Sequence, residues 1–305
     1  MSEFIGLAYY TEVPAVFFDV QRTGPSTGMP TRTQQADLLS IAYLSHGDTK
    51  HIALFPSSPE ECFYFSVKAF DLAERFQTPV FVVSDLDIGM NDWMIPRLRW
   101  DDRYEPDRGK VLSAEELEGL ATRFSRYLDT DGDGIAPRTL PGVHAKGAYF
   151  TRGSGHDKHA AYTEDAAEYQ EVVDRLARKL DGAAQAVPEP EIRRAGNADI
   201  GIISIGGCHA AVVEAIDRLR DQGIRADYMR VRGFPFGRAV REFIDAHERC
   251  FVVEQNRDAQ LRSLLAIETG VARDRMTPLL DYGGLPLTAE RVVRGVVGQL
   301  EGVGA

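Results

Sequence analysis

Cysteine is scarce in this chain of 305 residues: Cys62, Cys208 and Cys250 lie far apart. There is no C-x-x-C pair, no zinc-ligand spacing and no run able to hold an iron–sulfur cluster unaided. An odd, sparse count fits a reducing compartment better than a disulfide scaffold. Basic residues also fall short: 35 Lys and Arg face 46 Asp and Glu, a net charge of −11. That balance argues against a nucleic-acid binder, whose footprint is a basic stripe, and against a protein held to an anionic membrane surface. No apolar stretch approaches the ~18 residues of a membrane span. The opening M-S-E-F-I-G-L-A-Y-Y-T-E has no basic n-region, so it does not read as a signal peptide, and the cytoplasm is the default location. Neither a Walker motif nor G-x-G-x-x-G occurs.

What is present alternates strand and helix. Short apolar runs at residues 14–20, 51–55 and 79–85 read as buried strands, too short for helices. Between them, residues 34–45 carry Leu38, Leu39, Ala42 and Tyr43 on one side. S-P-E-E at 58–61 opens a second helix, with Ser58 as cap, Pro59 at the first position and Glu61 where a capping box wants it. Buried strands separated by helices imply a parallel sheet. Residues 86–112 and 129–162 show no clear period. A capped helix is expected over 113–128 and a polar-faced one over 163–180. The proline-containing stretch 182–198 is the best linker. Beyond it, strands at 200–205, 226–231, 250–254 and 276–280 alternate with four helices, an α/β unit of about 100 residues. The three strands before the linker make a small core for nearly two hundred residues, so the first domain reads as incomplete.

D-V-Q-R-T-G-P-S-T-G-M-P-T, residues 19–31, is the densest motif. It follows the carboxyl end of a strand, where open α/β sheets bind ligands. Arg22 offers a bidentate fork for a carboxylate or phosphate, and Ser26 and Thr27 offer hydroxyls; the bland alternative is a tight crossover loop with one surface arginine. D-T-D-G-D-G-I imitates a calcium loop with Asp129, Asp131 and Asp133, but its twelfth position is Leu140 rather than a bidentate glutamate. An acidic turn without calcium is expected. The Gly-rich stretch 147–157, with Arg152, His156 and Asp157, either covers a site or is a solvated loop. I-G-G-C-H at 205–209 fits an anion site at a helix N-terminus or tight strand-to-helix packing. Cys208 and Cys250 read as core residues, and Glu254, ending a strand, as an interface residue or a catalytic carboxylate.

The segment A-V-F-F-D-V-Q-R-T-G-P-S-T-G-M-P-T-R-T-Q-Q-A-D-L-L resembles the α subunit of 2-oxoacid:ferredoxin oxidoreductases, the 2-oxoglutarate type in particular. The resemblance continues through A-L-F-P-S-S-P-E-E-C-F, T-P-V-F-V-V-S-D, R-T-L-P-G-V-H-A-K-G-A-Y-F-T-R-G-S-G-H-D and F-V-V-E-Q-N-R-D-A-Q-L. It implies a parallel-sheet α/β domain similar to the thiamine-diphosphate pyrimidine-binding type over residues 1–181, incomplete at its N-terminus. A transketolase C-terminal-like α/β domain over 199–305 would follow. The family's front features are missing from the sequence: a γ-like domain, a Tyr-Pro-Ile-Thr-Pro-like loop and an acidic residue for the pyrimidine ring. The chain is therefore expected to be a fragment, a miscalled start or a split subunit, inactive in isolation.

The resemblance further implies a β subunit that holds or shares thiamine diphosphate with magnesium and carries the iron–sulfur cluster. Ferredoxin would accept the electrons, and a 2-oxoacid and coenzyme A would be the substrates. Arg22, Ser26 and Thr27 are the residues expected to orient the substrate anion; no catalytic side chain and no metal ligand is assigned. Two other readings stay open: a thiamine-dependent dehydrogenase or transketolase-like component, and a non-catalytic assembly subunit.

Overall fold

The computed structural model describes residues 1–302. The first part runs α1 (Ser2–Thr11), β1 (Ala15–Gln21), α2 (Leu38–Ala42), β2 (Ile52–Leu54), α3 (Pro59–Phe76), β3 (Pro79–Asp85), α4 (Leu86–Met90), α5 (Ala114–Glu118) and α6 (Ala166–Ala183). The second runs β4 (Glu191–Arg193), β5 (Ile200–Ser204), α7 (His209–Asp221), β6 (Ala226–Arg230), β7 (Gly233–Phe234), α8 (Arg238–Asp245), β8 (Cys250–Glu254), α9 (Gln260–Thr269), β9 (Met276–Leu280) and α10 (Ala289–Leu300).

Two sheets result. In one, β1, β3 and β2 are parallel, and β7 joins β2 antiparallel. The fourth strand of this small sheet thus comes from the far side of the expected linker. In the other, the order is β4-β6-β5-β8-β9, parallel apart from β4. The two-residue side-chain period of a strand sends alternate apolar residues to opposite faces. Val80 and Val82 meet α3 and α6, while Phe81 and Val83 face the other way. In the second sheet, Ile202, Phe251 and Val253 lie under α7 and α10, and Ile203, Cys250 and Val252 under α8 and α9. One core is common to both sheets: Phe55, Phe81 and Val83 of the first belong to the same cluster as Ile203, Met229 and Val252 of the second.

Several expectations change. β1 is an edge strand rather than a fully buried one, and Phe18 and Val20 are 57% and 49% exposed. The helix over 34–45 shrinks to α2, because residue 35 is tied to tertiary partners. Gln35 N–H donates to the Gln255 carbonyl at 2.8 Å, and its own carbonyl accepts from Asn256 Nδ2 at 2.9 Å. The helix over 113–128 keeps its capping box at Ser113 and Glu116 but stops at Glu118. Beyond it, Arg126 and Tyr127 bond to the backbone carbonyls of Glu12 and Thr11 at the end of α1. At α3, Ser58 caps Glu61 N–H as expected, but the Glu61 carboxylate accepts from Ser57 and from Arg230, which pulls it off the capping-box position. Within 182–198, Val187 is buried and β4 pairs with β6, because Ile192 lies against the second sheet.

Candidate functional site

The carboxyl ends of β1, β3, β5 and β8 meet where the two sheets adjoin. Asp85 ends β3, and its carboxylate accepts from Ile88 N–H at 3.1 Å, from Gly207 N–H at 3.1 Å and from Gln35 Nε2 at 3.1 Å. It therefore caps α4 and also serves the strand-to-helix turn ahead of α7. In the I-G-G-C-H motif the Gly207 N–H is taken by the Asp85 carboxylate of the same chain, which packs the strand-to-helix turn against the end of β3. Gly207 has no room for a side chain, since a Cβ would sit 2.8 Å from both Asp85 oxygens, and Gly206 takes φ 52°.

Glu254 does the same for α9. Its carboxylate accepts from Leu261 N–H at 2.8 Å, Arg262 N–H at 3.2 Å and Asn256 Nδ2 at 2.7 Å. Burial raises its pKa against these bonds. It is a buried positioning group, not an exposed interface carboxylate.

The loop 19–33 leaves this junction. Thr23 closes its neck: its N–H donates to the Arg32 carbonyl at 2.8 Å, and Met29 N–H donates back to the Thr23 carbonyl at 3.1 Å. Gly24 N–H reaches Gln34 Oε1 at 2.8 Å. Gly28 takes φ 48°, where a Cβ would fall 2.2 Å from the Thr23 oxygen. Thr33 N–H is tied to the Gly284 carbonyl at 3.2 Å, so the loop is anchored to both halves of the chain. The backbone is fixed while the tip is exposed. Arg22, Ser26 and Thr27 are all exposed, and Arg22 makes no ion pair or hydrogen bond among the described residues. A guanidinium without a protein partner, on a loop held at both ends, is available to an incoming carboxylate or phosphate.

Two carboxylates beside the loop carry no clear signal in the sequence. Asp19 is partly buried with Oδ2 unpaired, and burial, then the charge of Asp37, pushes its pKa up to about 6. Burial raises Asp37 as well. Gln35 and Asp85 were also missed, although Asp85 sits at the end of an apolar run, the usual place for a functional carboxylate.

Other candidates fall elsewhere. His156 is buried, its ring 4.0 Å from that of Tyr127 and 4.8 Å from that of Tyr10, with Nδ1 donating to the Ser154 carbonyl. The stretch 147–157 is therefore folded onto aromatic residues at this histidine rather than solvated there. Arg152 donates to the Ala160 carbonyl, and Asp157 accepts from His159 and Ala161 N–H. Asp129, Asp131 and Asp133 do converge, but Lys110 Nζ sits among them, 2.6 Å from Asp131, 2.7 Å from Asp133 and 2.9 Å from the Ile135 carbonyl. All three thiols are held protonated by burial, Cys62 near 11, Cys250 near 12 and Cys208 well above its usual value. No helix among the described residues is long and apolar enough to cross a membrane.

Residues 1–111 match the family profile described as pyruvate flavodoxin/ferredoxin oxidoreductase, thiamine diphosphate-binding. The chain is 33% identical to subunit alpha of 2-oxoacid:ferredoxin oxidoreductase 2 from Aeropyrum pernix, over 99% of its own length and 46% of the relative's. It is 30% identical to the 2-oxoglutarate synthase subunit KorA of Methanothermobacter marburgensis, over 98% of its own length and 77% of that subunit. It also superposes, with a TM-score of 0.87 and 29% identity, on 2-oxoglutarate:ferredoxin oxidoreductase from Magnetococcus marinus, solved with 2-oxoglutarate, coenzyme A and succinyl-CoA bound. That superposition covers 98% of this chain and 51% of the other. The chain thus spans about half the length of the Aeropyrum and Magnetococcus proteins and about three quarters of the Methanothermobacter one. With a family profile over its first sheet and relatives matched from end to end of its own length, the chain belongs to the 2-oxoacid:ferredoxin oxidoreductase alpha-subunit family.

Proposed function

We propose that this chain acts within a thiamine diphosphate-dependent complex that oxidatively decarboxylates a 2-oxoacid, 2-oxoglutarate first among them. The products are the acyl-CoA and carbon dioxide, and two electrons leave one at a time to ferredoxin. The observation that carries this reading is the loop 19–33, fixed at its neck and at Gly284, with Arg22, Ser26 and Thr27 exposed at the carboxyl ends of the strands. The names of the relatives support the substrate class.

In this proposal Arg22 holds the substrate carboxylate and the Ser26 and Thr27 hydroxyls help orient it. A β subunit is the partner. Thiamine diphosphate, when bound, supplies the carbanion that adds to the keto carbon. The diphosphate and magnesium are held by the β subunit or shared with it in this reading: in the one trio of carboxylates that converges among the described residues, Asp131 and Asp133 already hold Lys110. The same reading assigns the iron–sulfur cluster to the β subunit, since three scattered cysteines offer no set of ligands. This chain's task is to orient the substrate and exclude water.

The test is kinetic. The chain is co-purified with its β subunit and assayed with 2-oxoglutarate, coenzyme A and a viologen acceptor. Arg22→Ala is expected to raise KM and lower turnover, a loss of about 1.5–3 kcal/mol, or roughly ten- to a hundredfold in kcat/KM. Arg22→Lys should recover part of it, because a point charge does not reproduce the bidentate fork. Unchanged kinetics in a folded Arg22→Ala complex would place the anion elsewhere.

A further inference from the structure

Four charged side chains are buried together where α1 ends against α6. Glu12, in the left-handed conformation at φ 55°, closes α1 and turns its carboxylate inward. Both terminal nitrogens of Arg175 and the Nζ of Lys179 donate to that carboxylate, Lys179 at 2.8 Å. The Glu12 backbone carbonyl accepts from Arg126 Nη2 at 2.9 Å. Lys179 is 0% exposed, Arg126 2% and Arg175 3%.

The charges do not balance. Three cations face the Glu12 carboxylate and, beyond it, the charge of Asp129, which leaves an excess of one positive charge. Asp129 accepts from backbone N–H groups of its own turn and pairs with Arg178, so it gives the cluster its charge but no free acceptor. Glu12 itself is held ionised, well below the usual range, by Lys179 and Arg175 against the effect of its burial. Burial pulls the Lys179 ammonium down, and its ion pair with Glu12 holds it up.

The hydrogen bonds do not balance either. Arg126 Nε and Nη1 are buried and donate to nothing among the described residues. The guanidinium lies 4.9 Å from the Tyr127 ring and 5.7 Å from the Tyr149 ring, and these faces offset part of its charge without accepting its N–H groups. His156, its ring tilted against that of Tyr127, adds no anion: Nδ1 donates to a carbonyl, and burial pulls its pKa down. An uncompensated buried charge is strongly destabilising, as is a buried donor without an acceptor. One small anion offsets the excess charge and gives an unused Arg126 donor its acceptor.

We propose that the cluster of Arg126, Arg175, Lys179 and Glu12 binds a single small inorganic anion of chloride's class, held by an unused N–H group of Arg126. The anion ties the segment around residue 126 to the junction of α1 and α6.

Two measurements on the full chain test this. Crystals soaked in bromide should give an anomalous peak in hydrogen-bond range of the Arg126 guanidinium. An ordered water there instead, or no peak, overturns the proposal. In denaturant unfolding at constant ionic strength, with gluconate replaced by chloride, stability should rise and follow single-site linkage. Going from the dissociation constant to a hundredfold above it should raise the folding equilibrium constant about fiftyfold. Arg126→Met should abolish this response. Should that variant fail to fold, Lys179→Met, which removes one excess charge and leaves the Arg126 donors, should weaken it. A chloride response unchanged in either variant assigns the anion to another place and overturns the site.

Discussion

Asp19 shows how one side chain can carry a pH dependence in the reverse sense from an ion-paired carboxylate. Burial and the neighbouring Asp37 raise it to about 6 from an ordinary 3.8. The folded chain therefore holds this proton more tightly than the unfolded chain does. Stability from this group is fully present below about pH 4 and is lost as pH rises through about 6. Asp19→Asn should stabilise the isolated chain at pH 7 by about 1 kcal/mol, after allowance for solvent screening, and remove that slope. Urea midpoints between pH 4 and pH 7 read it directly; a steeper fall in the variant contradicts the assignment. Glu61 behaves oppositely. Burial would raise it, but Arg230 and Ser57 bring it to about 2. Its contribution is present above its unfolded value of about 4.5 and is lost as pH falls through about 2. Arg22 was legible as a site candidate because charge beside glycine and proline is a local pattern. Asp19 was not, because its pKa is set first by burial in the folded chain and then by Asp37, which lies beyond the whole loop.

Among the elements, the acidic loop at 129–135 separates a motif from its chemistry. The spacing of Asp129, Asp131 and Asp133 imitates a calcium loop, and Leu140 fails to close it. The fold adds a reason that no local reading contains: Lys110 Nζ, about twenty residues away in sequence, pairs with both Asp131 and Asp133. Titration calorimetry with millimolar calcium should show no saturable heat. A micromolar dissociation constant would mean that the ammonium is readily displaced. Helix boundaries follow the same logic. α3 starts where Ser58 and Pro59 place it, since capping is local. The helices expected at 34–45 and 113–128 are cut short because Gln35 and Arg126 are claimed by backbone groups more than a hundred residues away.

For the molecule as a whole, the shared core matters most. Phe234 is fully buried, and its strand β7 completes the sheet built by residues 15–85. The same cluster runs from Phe81 to Val252. The stretch 193–197 is exposed and turns at Gly196 and Asn197, so limited trypsin treatment should cut after Arg193 or Arg194. The two pieces should nevertheless elute together in native size exclusion and separate only under denaturing conditions. Pieces that separate without denaturant would show that the shared core does not bind the halves.

Strand and helix alternation, the capped start of α3, the parallel sheets and the motif around Arg22 were determined by the sequence alone, because each rests on neighbours a few residues apart. The family was legible for the same reason, as ordered blocks of local motif. Tertiary structure decided the rest. It made Asp85 the anion at the glycine turn before α7, put Lys110 into the acidic loop and lent β7 to the first sheet. It also gathered Arg126, Arg175 and Lys179 around Glu12. Each of these joins residues that are distant along the chain, and their partners are fixed by how the sheets and helices pack, which no local pattern encodes.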